Sequence, residues 1–318
     1  MKNSHPDISK QINCQDAHEV LESNYSTLGP LWVSSQMDWF NGIFAAFKDH
    51  DKYLIVMFLV KRTLDFYSRN FIELSYDEFY SNDTVEIEKI NISEVSKNIN
   101  IPKESARRKI IELENSGVIK KIKKKIIIDR SAFFYVKPEN TVKRIARFLS
   151  IFSEKLVLEK KLQKPFSTEN LEKIIKSNFS YIWKTYYELQ IPMMLGYKNI
   201  FIDLETFHIF GTCVVNQHLA AKKLHKGKTN KKIFIESTYQ TKNMVGLNTM
   251  SISDITGIPR ATVIRKLKKL IKEKHLVIDS KKHYKMSGSN TKKLAPLQNI
   301  VLERLSKFST YIYNLPIL

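Results

Sequence analysis

Apolar side chains recur at helical spacing in two segments that lie 157 residues apart. A shift of the sequence by 157 positions places 95–119 on 252–276 without a gap. A chance match between lysine-rich stretches would not align a proline, an arginine and two apolar periods in one register. The sequence therefore predicts one structural unit that is built twice. The identical pairs are Ser96/Ser253, Ile101/Ile258, Pro102/Pro259, Arg108/Arg265, Lys109/Lys266 and Leu113/Leu270.

Each copy predicts a short helix, a tight turn and a second helix. In the second copy 251–256 forms the short helix, and Gly257 is placed to end it in the left-handed conformation. Pro259 then opens the next helix, where a missing amide hydrogen costs nothing. In the first copy Asn100 takes the position of that glycine, because asparagine tolerates a positive φ. The buried stripes are predicted at Val263, Ile264, Leu267, Leu270 and Ile271, and at Ala106, Ile110 and Leu113.

A β-like segment follows each second helix, at 118–136 and at 276–287. The first brackets a basic run between isoleucines, and the second contains a predicted turn at 279–282. A pair of strands after such a helix is the wing of a winged helix-turn-helix unit. The lysines expected on the wings are Lys123, Lys124, Lys125, Lys281 and Lys282.

Apolar and aromatic helices flank both copies, at 38–71, 141–161, 171–189, 203–224 and 297–313. The predicted fold is mainly α with small β wings, as tandem winged helix-turn-helix domains with flanking helices. The first domain covers 1–164, with its helix-turn-helix at 92–117. The second covers 165–318, with its helix-turn-helix at 250–274. Lys164-Pro165 breaks the chain between them.

The formal net charge of +20 predicts a polyanionic partner. The charge is uneven: 1–150 holds 23 basic against 20 acidic residues, whereas 151–318 holds 29 against 12. An AT-biased genome would raise the lysine content of both halves and therefore explains this asymmetry poorly. Nucleic acid is therefore the expected partner, chiefly of the second half.

The apolar run 53–60 is flanked by Lys52, Lys61 and Arg62 and is far shorter than the ~20 residues that span a bilayer. It predicts a buried helix and no membrane partner. Cys14 and Cys213 do not make a disulfide framework. With a polar N-terminus, these features indicate a cytoplasmic protein that associates with the nucleoid.

The segment 256–267 resembles the turn and recognition helix of bacterial and archaeal winged helix-turn-helix transcription regulators. The helices around each unit make both halves most similar to the MarR type. The resemblance covers about 25 residues in each half and implies DNA binding through the second helix of each unit. The family usually has one unit per chain and dimerises, so two units suggest a covalent counterpart of such a dimer. A homodimer of the whole chain stays open.

A recognition helix reads bases from its N-terminal half in the major groove, and other cations contact phosphate. Arg265 is the leading candidate for a base contact, and Arg108 is its counterpart in the first copy. We expect the contacts to include Arg260, Thr262, Arg265, Lys266, Lys268, Lys269 and Lys272, and in the first copy Lys103, Ser105, Arg107, Arg108 and Lys109.

Other chemistry finds little support in the sequence. His208, Cys213 and His218 are spaced five apart, so on a helix they diverge and cannot share a metal. Gly227-Lys228-Thr229 lacks the preceding glycine of a phosphate-binding loop. Neither a catalytic triad nor a cofactor motif stands out, so we expect no enzyme activity and no cofactor. An effector pocket lined by Trp32, Trp39, Trp183, Tyr186 and Tyr187 is less favoured than ordinary packing of these rings.

Three functions are compatible with this pattern. The leading hypothesis is a transcription regulator that binds a specific duplex site. A plasmid or phage replication initiator with tandem winged helices is the second. The third is a scaffold whose winged units hold protein, which the charge of the second half disfavours and the nearly neutral first half leaves open.

Overall fold

The computed structural model describes residues 11–81, 83–87, 89–122, 125–129, 138–225, 227–240 and 245–317. These residues form a mainly helical protein with two small antiparallel sheets. The first half contains α1 (Cys14–Ser23), α2 (Tyr25–Phe47), α3 (His50–Arg69), α4 (Tyr76–Tyr80), β1 (Thr84–Ile87), α5 (Ile92–Ile99), α6 (Lys103–Asn115), β2 (Ile119–Ile122), β3 (Lys125–Asp129) and α7 (Pro138–Leu158).

The second half repeats this order except for β1, so the duplication extends well beyond the matched 25 residues. Its elements are α8 (Thr168–Ser177), α9 (Phe179–Phe201), α10 (Leu204–Leu224), α11 (Lys231–Gln240), α12 (Thr249–Thr256), α13 (Arg260–Lys272), β4 (Leu276–Ile278), β5 (Tyr284–Met286) and α14 (Thr291–Asn314). The boundary placed at 164/165 falls in the link between α7 and α8.

The apolar stretch 38–71, expected to be helical, is divided between two helices. Lys48 adopts a left-handed conformation (φ 52°) and ends α2. Asp49 then caps α3, its side chain accepting a hydrogen bond from the amide of Asp51 at 2.8 Å. The equivalent aspartate, Asp203, caps α10 through the amide of Thr206 at 2.8 Å. A short polar residue at each break satisfies amides that a helix leaves unpaired.

The predicted turn between the paired helices is confirmed in both copies. Asn100 (φ 51°) and Gly257 (φ 68°) both end their helices in the left-handed conformation. One further contact repeats: the Ser96 hydroxyl donates to the Ile101 carbonyl at 2.6 Å, and the Ser253 hydroxyl to the Ile258 carbonyl at 2.8 Å. The same serine hydrogen bond therefore fixes the angle between the helices of each pair.

A hairpin follows each second helix, as the alternation of apolar and basic residues predicted. In the first copy the strand order is β1-β3-β2, with Val85 opposite Ile128 and Ile119 opposite Ile128 on the other side. In the second copy β4 pairs with β5, and a single bridge from Leu247 to Tyr284 stands where β1 stands in the first. The first hairpin was expected to reach residue 136, but 130–137 lies outside the described residues.

The two halves interlock through their long helices. Helix α2 packs on α10 of the other half, and α9 packs in return on α3. Likewise α1 packs on α14, and α8 packs on α7. Every major contact between the halves thus has a reciprocal partner, which is the arrangement of a two-fold axis. The chain resembles a symmetric dimer whose subunits are joined and have exchanged their first two helices.

A single apolar core runs through both halves. At its centre Phe40 of α2 lies edge-to-face on Phe207 of α10, with ring centroids 5.3 Å apart. His50 and His208 are fully buried beside them, with His50 Nε2 and His208 Nδ1 3.2 Å apart. Burial, with a smaller contribution from the charge of Lys109, lowers the pKa of His50 to about 3. Two neutral imidazoles therefore join the halves at neutral pH.

The apolar run 53–60 lies within α3 and is buried along almost its whole length, as predicted. None of the helices in the described part of the chain is both long enough and apolar enough to cross a membrane.

The left-handed turn residue gives a direct test of the paired-helix geometry. Gly257→Ala is expected to lower the free energy of unfolding by about 1 kcal/mol, because an L side chain is strained at positive φ. Space is not the cause, since an added Cβ would meet Phe44 only at 3.9 Å. Chemical denaturation measures the change. Gly227→Ala is the matched control: its Cβ would have no atom within 4 Å and its φ is unstrained. Equal losses in the two variants would contradict the assignment.

Candidate nucleic-acid interface

Helix α13 presents a largely cationic face to solvent, which also includes Ile264, predicted to be buried but 38% exposed. Its inner side is formed by Val263, Leu267 and Leu270, all fully buried. On the outer side four cations are exposed and form no hydrogen bond or ion pair with any residue that the structure describes. They are Arg260, Arg265, Lys268 and Lys272. The helix has no acidic residue, so nothing on it neutralises this face.

Helix α6 has the same buried stripe but a mixed outer face. Arg108, at the position of Arg265, has 71% of its side chain exposed and lies 3.7 Å from Glu112. Arg107 is 3.9 Å from Glu104, whose side chain is 81% exposed. Lys103 is exposed, while Ser105 and its counterpart Thr262 are half-buried. The arginines of α6 thus face solvent, as expected, but each lies beside a glutamate.

Lys266 and Lys109 were expected to face outward, and this prediction is wrong. Lys266 is only 6% exposed, and its Nζ lies 2.6 Å from Asp203 Oδ2 and 3.8 Å from Glu205. Lys109 pairs in the same way with Asp49, and its Nζ is 3.8 Å from Asp51. Both lysines follow the outward arginine by one residue, about 100° around the helix, which places them at the edge of the buried face, where the aspartates reach them. They anchor their helices and are not free to touch DNA.

Each of these lysine–aspartate pairs, here called an anchor, joins the second helix of a pair to the capped start of a core helix. Burial alone would raise the pKa of Asp203, but hydrogen bonds from Lys266 and Thr206 bring it below its ordinary value. Burial raises the pKa of Glu205, against the lowering effect of Lys266, and the nearby carboxylates of Asp203 and Asp49 add to the increase. The side chains of His50, next to Asp49, and of His208, in α10, lie 3.2 Å apart, so the starts of the two core helices are neighbours.

Helices of the opposite half brace each turn. Lys198 of α9 is buried, and its Nζ reaches Asp51 at 2.8 Å and the Ile99 carbonyl, at the end of α5, at 3.3 Å. Asn100 donates to the side chain of Asn199 at 2.9 Å. In the other half Phe44 of α2 occupies the position of Lys198 and packs near Gly257. Helices α6 and α13 are therefore fixed relative to each other by the shared core.

Lys269, a predicted phosphate contact, is half-buried. Its Nζ lies 3.2 Å from the Phe201 carbonyl, at the end of α9. It therefore stabilises the carbonyl end of that helix. Its neighbours Lys268 and Lys272 keep their expected exposure.

The second hairpin exposes the lysines predicted for it. Asp279 Oδ1 accepts hydrogen bonds from the amides of Lys281 at 3.0 Å and His283 at 2.9 Å, which builds the turn. Lys282 adopts a positive φ of 61° at its tip. Lys281 and Lys282 are both exposed.

The first hairpin is closer to charge balance in its described part. Lys120 pairs with Asp129, and Lys121 lies 2.6 Å from Glu114. The predicted contacts Lys123 and Lys124 lie outside the described residues, as does the side chain of Lys125.

The side chains considered for other chemistry are placed in the core. His208 Nε2 bonds with the Asn41 side chain at 2.8 Å, and burial raises the pKa of the Cys213 thiol to about 12. Burial also lowers the pKa of His218 to about 4. No group of three potential metal ligands occurs among the described residues. The rings considered for an effector pocket are all buried, with Trp183 and Tyr186 centroids 5.0 Å apart.

Asp49 and Asp203 are the residues that sequence reasoning missed. The signal was present, because the two aspartates precede equivalent helices and lie 154 positions apart, close to the period of the repeat. An aspartate before an apolar helix predicts a cap. The lysine that binds the second carboxylate oxygen, however, is distant in sequence, and only the fold brings it to the aspartate.

No protein-family model, curated protein or solved structure matches this chain. Its function is therefore inferred from the geometry of its own residues.

The buried anchor predicts both a stability loss and a pH dependence. Asp203→Asn is expected to lower the free energy of unfolding by about 2–3 kcal/mol at pH 7, because the buried Lys266 ammonium keeps only the more distant carboxylate of Glu205. Since the folded-state pKa of Asp203 is depressed, its contribution is present above the unfolded value of about 4 and is lost as the pH falls through the folded-state pKa. Denaturation curves between pH 3 and 7 measure both effects.

The control for this variant is an exposed pair on α7. Lys143 and Glu139 lie 3.4 Å apart and are both about half exposed. Glu139→Gln is expected to cost less than about 0.5 kcal/mol. If Asp203→Asn costs no more than this control, the anchor has no structural role.

Proposed function

We propose that this chain is a non-enzymatic, sequence-specific double-stranded DNA-binding protein that regulates transcription at the nucleoid. In this proposal 84–129 and 247–286 are winged helix-turn-helix units of MarR-like type. Helices α6 and α13 lie in successive major grooves, and the hairpins lie along the adjacent backbone. The observation that carries the proposal is the outer face of α13, with four exposed cations and no acid.

A helix face of this composition suits a nucleic-acid duplex. A helix fits the major groove, where a guanidinium can pair with guanine O6 and N7 while flanking lysines neutralise phosphates. Arg265 lies opposite the buried stripe, at the centre of the exposed face. Lys268 and Lys272 lie one and two turns further along, where a helix that enters the groove by its N-terminus approaches the backbone.

The reciprocal packing of the halves supports binding by both units at once. A duplex has its own local two-fold axis, so a two-fold protein presents equivalent helices to equivalent grooves. Here the relation is built into one chain, so the second unit is already in place when the first binds. The translational and rotational freedom lost on binding is therefore lost once for the two units together, not once for each.

Arg265→Ala is expected to weaken binding to a duplex selected from a random pool by tenfold or more, and to change binding to unselected duplex little, because a base contact is lost. Fluorescence anisotropy at fixed salt measures both affinities. The control is Arg147→Ala, which removes an exposed arginine from α7, outside both candidate helices. Similar affinities of the two variants for the selected duplex would exclude Arg265 as a base contact.

Lys272→Ala is expected to act differently, through phosphate. It weakens selected and unselected duplexes alike and makes the slope of log affinity against log salt shallower by about one unit. A titration over several salt concentrations gives this slope. Lys173→Ala removes an exposed lysine of α8 and is expected to leave the slope unchanged. A wild-type affinity that does not depend on salt would refute DNA binding altogether.

A further inference from the structure

The outward faces of α6 and α13 differ at one position that lies beside the shared arginine. Glu104 and Arg108 are four residues apart and lie on one side of α6, one turn from each other. The equivalent residues of α13 are Ala261 and Arg265, both exposed. Glu104 is 81% exposed, and its nearest cation in a salt bridge, Arg107, is 3.9 Å away. Its carboxylate is therefore available to a ligand.

A carboxylate on a surface that faces DNA is repelled by phosphate and is tolerated where it accepts a hydrogen bond from a base. Cytosine presents an amino donor in the major groove with no acceptor of its own, whereas adenine places its N7 acceptor beside the donor. Glu104 therefore favours cytosine. An alanine at the same place offers only a methyl group, which packs on the methyl group of thymine.

We infer that the protein reads an asymmetric inverted repeat, and this rests on the proposed function. Both half-sites carry guanine at the position read by Arg108 and Arg265. At the neighbouring position the half-site under α6 carries cytosine, read by Glu104, and the half-site under α13 carries thymine, packed on Ala261. The order of the half-sites is fixed, because the shared core holds the two helices and fixes their relative placement.

The charge of the two helices gives them different shares of the binding. Helix α13 carries six cations and no acid, while α6 carries three glutamates beside its four cations. Phosphate attraction therefore falls mainly to the second unit, and the first contributes chiefly discrimination. The arginine that both helices share selects guanine in each half-site, and Glu104 determines the orientation in which the protein binds its site.

Selection of full-length protein on randomised duplexes tests the inference. Wild type is expected to enrich an inverted repeat with matching guanines and one mismatched position between the halves. Glu104→Ala is expected to reduce the preference for cytosine at that position by about tenfold. Glu104→Gln is expected to replace cytosine by adenine there, because a glutamine amide pairs with adenine N6 and N7. A glutamate that only stabilised the start of α6 would not change the base.

The exchange variant Glu104→Ala with Ala261→Glu is expected to move the cytosine preference to the other half-site, which reverses the protein on its target. Both positions are exposed, and an unchanged melting temperature checks that the variants fold. A symmetric wild-type consensus, or the same enriched base in wild type and Glu104→Gln, would overturn the inference while leaving DNA binding intact. Enrichment of no sequence at all would overturn the proposed function with it.

Discussion

The pairing of a helix-capping aspartate with a lysine of the outward helix is the interaction on which the arrangement of this protein depends. Asp203 uses one oxygen to cap α10 and the other to bind Lys266, 2.6 Å away, on α13. Asp49 repeats this with α3 and Lys109. One carboxylate thus couples a core helix to a surface helix. Removal of the whole carboxylate, as in a change to alanine, would leave an amide donor and an ammonium without this partner.

The starts of the two core helices are neighbours because the halves exchange their long helices. Helices α2 and α9 cross into the opposite half, and each braces the turn of the unit that it meets there, through Phe44 in one case and Lys198 in the other. The distance between α6 and α13 is therefore set by a packed core, which is stiff, and not by a linker. For a protein proposed to bind two grooves of one duplex, this stiffness means that little freedom remains to be lost on binding.

Within the helix pairs the two copies differ mainly on the outer face, although elsewhere in the core Phe44 stands where the other half has Lys198. The buried stripes, the left-handed turns and the serine hydrogen bonds are equivalent in both, while the outer faces differ in charge. Glu112 stands where the second copy has Lys269, and Glu104 where it has Ala261. Packing constrains the first set because a change there leaves a cavity or strain. Solvent-exposed positions carry no such penalty and were free to diverge in charge.

The local structure of the repeated unit follows from its amino-acid sequence alone. Its signals are the proline, the glycine or asparagine of the turn, and the spacing of apolar residues, and each acts within a few residues. The paired helices, their turns and the hairpins were therefore predictable from 95–136 and 252–287. The outward position of Arg108 and Arg265 followed from the same periodicity.

Which cations are free, in contrast, depends on contacts between distant parts of the chain. Lys266 and Lys109 resemble their exposed neighbours in sequence, yet their partners lie 63 and 60 residues away. Periodicity gives the direction of a side chain but not what stands in front of it. The exchange of helices between the halves was equally hidden, because an apolar face packs as well on its own half as on the other, and the connecting loops and the two-fold arrangement of the whole chain choose between them.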